Sequence, residues 1–146
     1  MKEFFEDIFA YHHYFNQKLA DIFIENYGKL SERTIPLFSH TINAHQIWNS
    51  RILIKSSLGV HQLHLLDACK DLDDSNYSDT LSILAKYDLS QRVNYINSKG
   101  GAYEHSIQEI LFHICNHFTH HKGQLISDLR LSGIEPPITD YIFYKR

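Results

Sequence analysis

Leu111-Phe-His-Ile-Cys-Asn-His-Phe-Thr-His-His-Lys-Gly-Gln124 places four histidines between His113 and His121. His113, His117 and His121 are spaced by four. On an α-helix that step turns each ring only about 40° from the last, so the three stack along one face. The helix itself is well specified. Ser106-Ile-Gln-Glu109 reads as a capping box, with Ser106 as N-cap and Glu109 at the third helical position. Ile107, Ile110, Leu111, Ile114, Phe118, Leu125 and Leu129 then recur at spacings of three and four. The pattern runs to about Ser132, Gly133 supplies the stop, and Pro136-Pro137 forbids continuation.

Upstream, the same period returns twice. Phe4, Phe5, Ile8, Tyr11, Phe15, Leu19, Ile22 and Phe23 predict a first helix over 3–28. Leu37, Ile42, Ile47, Trp48 and Ile54 predict a second over about 31–56, with Pro36 in its early part. Residues 57–76 show a short helical turn and then a polar loop. A short third helix is expected near 77–88. Arg92-Val-Asn-Tyr-Ile-Asn alternates and is followed by Ser-Lys-Gly-Gly, which predicts a small β-hairpin or extended loop returning through Ala102–His105. The tail after Pro137 is apolar enough to pack across the domain. The expectation is one all-α domain over 1–146, a four-helix bundle with a small extended or hairpin element before the last helix.

Bulk properties narrow the function. The chain has 146 residues, 43% of them hydrophobic, with a net charge of −3 when histidines are neutral. No basic run offers a phosphate-binding surface, so nucleic acid is not an expected partner. No stretch approaches the ~20 apolar residues of a membrane helix, and the N-terminus is interrupted by acids. A cytoplasmic location is expected. Cys69 and Cys115 read as reduced, buried small hydrophobes.

Imidazole is the commonest side-chain ligand for zinc, copper, iron and nickel. Two rings at i, i+4 can grip one ion, and a third from a facing helix would fix it. His45, flanked by apolar positions in the second helix, is the strongest candidate. His40 lies about 140° away around that helix and is less suited to share the site. A metal site of His45, His117 and His121 is therefore expected, with positions left open for water or substrate, as in catalytic zinc. His113 is either a ligand in place of His121 or a neighbour of the ligands. Gln124, one turn beyond His121, could orient a ligand ring. The competing reading makes the rings hydrogen-bonded core or surface histidines. His12, His13, His61, His64 and His105 are assigned to that class, and His120 to the surface or the site edge.

These stretches resemble the DinB/YfiT-like family of metal-binding four-helix proteins. The likeness rests on Asn43-Ala-His-Gln-Ile-Trp-Asn-Ser-Arg51 and on Ile110–Gln124. It is supported by Ser98-Lys-Gly-Gly and the Gly133-Ile-Glu-Pro-Pro-Ile-Thr-Asp-Tyr-Ile tail. It implies an up-down-down-up bundle, a zinc or nickel ion on His45, His117 and His121, His113 as a neighbour, and a homodimer. It also implies that Asn16 lies near the metal. Some relatives are thiol transferases using low-molecular-weight thiols, and others look like hydrolases. A metal-dependent enzyme is the leading expectation. A non-catalytic metal-binding stress-response protein, acting as a homodimer, is the alternative. No Glu follows a ligand histidine in a zincin arrangement and no Glu-x-x-His pair supports a di-iron centre, so those readings are demoted.

Overall fold

The last helix forms where its signals place it. In the computed structural model, which describes residues 1–146, α4 spans Ile107–Leu131, and Ser106 and Glu109 satisfy each other's backbone N–H groups as a capping box. Three other long helices pack with it: α1 (Lys2–Glu25), α2 (Thr34–Leu53) and α3 (Leu66–Lys86). α1 lies against α3 and α4, and α2 lies against the same two helices. Pro36 is tolerated because it falls in the first turn of α2, where backbone N–H groups lack intrahelical partners anyway. No helix is long and apolar enough to cross a membrane.

α3 is a correction to the short helix expected at 77–88. It begins at Leu66 and takes in the stretch read as a polar loop. Its buried face is Leu66, Cys69, Asp73, Asn76, Thr80, Ile83 and Leu84. Those positions keep helical spacing, but three in the middle are polar, so a search for apolar periodicity loses the helix there. They are buried because each finds a partner. Asp73 accepts hydrogen bonds from Asn16 at 2.8 Å and Gln17 at 3.0 Å, and contacts His13 Nδ1 at 2.6 Å. Asn76 donates to the Ile42 carbonyl at 3.0 Å, and Asn49 donates to the Asn76 carbonyl at 2.9 Å. A satisfied buried polar group costs little, whereas an orphaned one costs about 1–3 kcal/mol.

The element before α4 is an antiparallel hairpin of β1 (Arg92–Ile96) and β2 (Ala102–Ser106), paired from Arg92 opposite Ser106 to Ile96 opposite Ala102. Gly100, at φ 81°, takes the left-handed conformation that its turn requires. The tail does pack across the domain. A short α5 (Tyr141–Tyr144) seats Tyr141 and Tyr144 against Tyr11 of α1, and Tyr141 bonds to Asp7. Below them, buried Lys122 donates to the Tyr11 hydroxyl at 2.5 Å, and burial draws its pKa down to about 8.

The apolar core has two clusters. One gathers Phe5, Phe9, Ile83, Leu84, Ile110, Leu111 and Phe118; the other gathers Leu19, Phe23, Phe38, Ile42, Leu125 and Leu129. The polar side chains of α1, α2 and α3 touch both. Asn76 reaches the second through Ile42, and His45 lies against Phe9 and Phe118 of the first.

Candidate metal centre

α4 delivers His117 and His121 side by side, as their spacing requires, with their Nε2 atoms 3.0 Å apart. The third ring beside them is His40 of α2. Its centroid lies 5.1 Å from those of both His117 and His121. One ligand nitrogen from each of His40, His117 and His121 lies within 4.8 Å of the others, and all three residues are half-buried.

The expected set named His45 in place of His40, and the structure groups the residues differently. His45 points into the core, 3% exposed. Its ring packs on Phe9 and Phe118, and its Nε2 lies 2.7 Å from Thr80 Oγ1. Thr80 spends its own proton on the Asn76 carbonyl at 3.0 Å, so His45 Nε2–H is the donor of that pair. The remaining nitrogen, Nδ1, is buried without a partner. Burial holds the ring neutral, with its pKa lowered to about 3. The apolar flanks that recommended His45 are the marks of a core position. A site open to substrate needs the half-buried face about 140° away, which His40 occupies.

The other expected neighbours divide. Gln124 Oε1 accepts from His121 Nδ1 at 2.7 Å, as a ligand-orienting glutamine would. His113 stands outside the trio, its ring 5.9 Å from that of His117 and 5.0 Å from Trp48. Asn16 is placed elsewhere, in the buried seam between α1 and α3 and bonded to Asp73. His120 is exposed beside His121.

The donor set suits a divalent cation. His40 Nδ1 lies 3.2 Å from the Val60 carbonyl and donates to it. His121 Nδ1 donates to Gln124. With both Nδ1 atoms committed as donors, the Nε2 atoms of these rings carry the lone pairs, which is how a neighbouring acceptor fixes a ligand tautomer; that of His121 faces His117 Nε2 at 3.0 Å, a contact that a metal would replace. Protonation does not compete strongly. Burial, then the neighbouring His121 and His40, lowers the His117 pKa to about 3, and burial also lowers that of His121. Three neutral imidazoles are a borderline-soft nitrogen set, appropriate to zinc or nickel rather than calcium or magnesium.

A cavity of about 390 Å³ opens on this centre, lined in part by His40 and His117. Its α2 wall is one helical stripe, His40, Ala44, Ile47, Trp48 and Arg51. Tyr95, Asn97, Ser98, Tyr103 and His105 of the hairpin region close the opposite side. A larger hollow of about 750 Å³, around Met1, Lys86 and Gln108, has no group of metal-ligating side chains.

The model of the DinB family matches residues 36–146, from the first turn of α2 to the C-terminus. The chain belongs to the DinB family. The match takes in all three clustered histidines and the whole cavity wall, and it leaves α1 outside. Neither the curated proteins nor the solved structures compared with the chain give a match. The DinB assignment and the three-histidine cluster are together compatible with a metal-binding protein.

Proposed function

We propose that this DinB-family chain is a metal-dependent enzyme in which His40, His117 and His121 hold one divalent cation, zinc or nickel. The observation that carries this reading is the joint one: three convergent imidazole nitrogens within 4.8 Å, beside a cavity that shares two of those residues. Three protein ligands on one edge of a cavity is the pattern of a catalytic rather than a closed structural centre. When bound, the ion would supply Lewis acidity and a lowered pKa for a water or thiol at its open position.

The rest of the work falls to the chain. Val60 and Gln124 orient two rings. Phe118, buried next to His117 in sequence, anchors that stretch of α4 in the core against His12 and His45. Trp48, Tyr95 and Tyr103 make a partly apolar wall that limits water around a bound substrate. Thiol transfer and hydrolysis both fit, with a low-molecular-weight thiol as co-substrate in the first. The family resemblance further carries an up-down-down-up helix order and a homodimer. The cavity beside the histidines favours an enzyme over a purely metal-binding stress protein.

The test is a screen of untagged protein loaded with zinc or nickel, using thiol transfer to 1-chloro-2,4-dinitrobenzene and hydrolysis of p-nitrophenyl acetate. Metal-dependent turnover is expected in at least one assay, and His40→Ala should remove it. Rates indistinguishable between loaded wild type and His40→Ala in both would reject the enzymatic reading.

A further inference from the structure

Arg51 is the one permanent cation lining the cavity, and no carboxylate lines it with Arg51. Its guanidinium rests 4.2 Å from the Trp48 ring centroid and 4.4 Å from that of Tyr95. The two rings meet edge to face, 79° apart, and so brace the guanidinium from two directions. Arg130 and Arg146 also lack ion pairs, but they are exposed and lie outside the cavity, and the other two arginines are paired. Arg33 pairs with Asp128, and Arg92 with Glu104 and Glu109. Arg51 has neither a hydrogen bond nor an ion pair to the protein, although it is half-buried.

Holding a cation partly out of water without an anion is unfavourable, and its burial lowers the Arg51 pKa. Aromatic contact offsets part of that cost and fixes the side chain. It leaves the N–H fork free to donate in its own plane, the geometry that matches a carboxylate in a bidentate pair. Asn97, whose Oδ1 accepts from the backbone N–H groups of Lys99 and Gly101, has its amide N–H₂ uncommitted at the same wall.

We infer that this cavity binds a small organic monocarboxylate, with Arg51 as the anion anchor and the histidine trio at the other end of the ligand. The inference rests on the reading of the cavity as the substrate site and adds the ligand's chemical class. One fixed positive charge, with neutral donors around it, matches a singly charged carboxylate better than a doubly charged phosphate ester. A cavity of about 390 Å³ suits a ligand of metabolite size. Arg51 is therefore a specificity-determining residue. It selects the acid form of a substrate over its neutral amide or ester.

Trp48 is the chain's only tryptophan and lines the cavity, so its fluorescence reports occupancy. The probes are 3-phenylpropionate and its uncharged isostere 3-phenylpropionamide, titrated into chelator-treated and zinc-loaded protein. The acid should bind at least about tenfold more tightly than the amide, the discrimination expected of a charge-assisted pair. Arg51→Met should bring the acid down to the level of the amide and leave the amide unchanged. Arg51→Lys should keep part of the preference, which guards against a folding defect in the first variant. Equal affinities in wild type, no response to the acid at millimolar concentration, or a preference surviving in Arg51→Met would each overturn the assignment. Tighter binding of 2-phenylethylphosphonate than of the acid would overturn the monoanion class.

A separate arm uses 3-mercaptopropionate. Zinc should strengthen its binding in wild type and in Arg51→Met, and not in His40→Ala. Loss of that zinc effect with the acid preference intact would refute the metal reading and leave the anion site standing.

Discussion

His117→Ala is expected to abolish stoichiometric binding of zinc or nickel. His117 is close to both other rings of the trio: its Nε2 is 3.0 Å from that of His121, and its centroid is 5.1 Å from that of His40. Removing it leaves two donors on two helices. Loss of a residue that merely orients a metal ligand costs about 10–100-fold in affinity, so loss of the ligand should cost at least about a hundredfold. Gln124→Leu is the graded companion. It frees the His121 ring without deleting a donor, and about a tenfold loss is expected. Isothermal titration with each ion reads both. Full occupancy in His117→Ala would contradict its role.

Acid is expected to destabilise the metal-free protein, and His45 is expected to contribute to that loss. In the unfolded chain an imidazole titrates near 6.5. In the folded chain burial lowers the His45 pKa to about 3, and burial, Lys122 and His45 together lower that of His12 well below its usual value. Both rings pack against Phe118, His12 tilted at 39° and His45 edge to face at 86°, and each has a buried Nδ1 without a partner. The unfolded state therefore takes up protons below 6.5 that the folded state refuses. Their stabilising contribution is present above 6.5 and is lost as pH falls toward the folded values. For His45 the loss is about 1.4 kcal/mol per pH unit, or about 2 kcal/mol between pH 6.5 and 5, and His12 adds to it in the same direction.

His13 works in the opposite sense. Its hydrogen bond to Asp73 raises its pKa, so its contribution is present below 6.5 and lost as pH rises through the folded value. Urea denaturation in chelator should show stability falling between pH 7.5 and 5, and His45→Leu should reduce that fall by about 2 kcal/mol. An identical fall in wild type and His45→Leu would show that the His45 ring is not buried neutral.

The long helices were legible because their apolar positions repeat at helical spacing. α4 was the clearest, because Ser106 and Glu109 mark its start and Gly133, at φ 72°, follows its end. α3 was not. Asp73, Asn76 and Thr80 occupy its buried face, and only partners distant in sequence, namely Asn16, Gln17, His45 and Asn49, make those positions acceptable to a core. The same layer explains the histidine exchange. His45 has apolar neighbours because it closes a buried polar network with Thr80. His40 looked displaced because its companions on the helix face, Ala44, Trp48 and Arg51, are a small residue, an aromatic and a cation. That pattern describes a cavity wall. Val60, which orients His40, comes from the connection between α2 and α3, and no local spacing points to it.

His40, not His45, stands with His117 and His121, and is expected to complete their metal set. Metal content by mass spectrometry of inductively coupled plasma, on untagged His40→Ala and His45→Ala reconstituted with zinc and desalted, tests it most directly. Near-zero zinc is expected in His40→Ala and about one ion per folded chain in His45→Ala, as in wild type. Full zinc in His40→Ala, with loss in a folded His45→Ala, would contradict it.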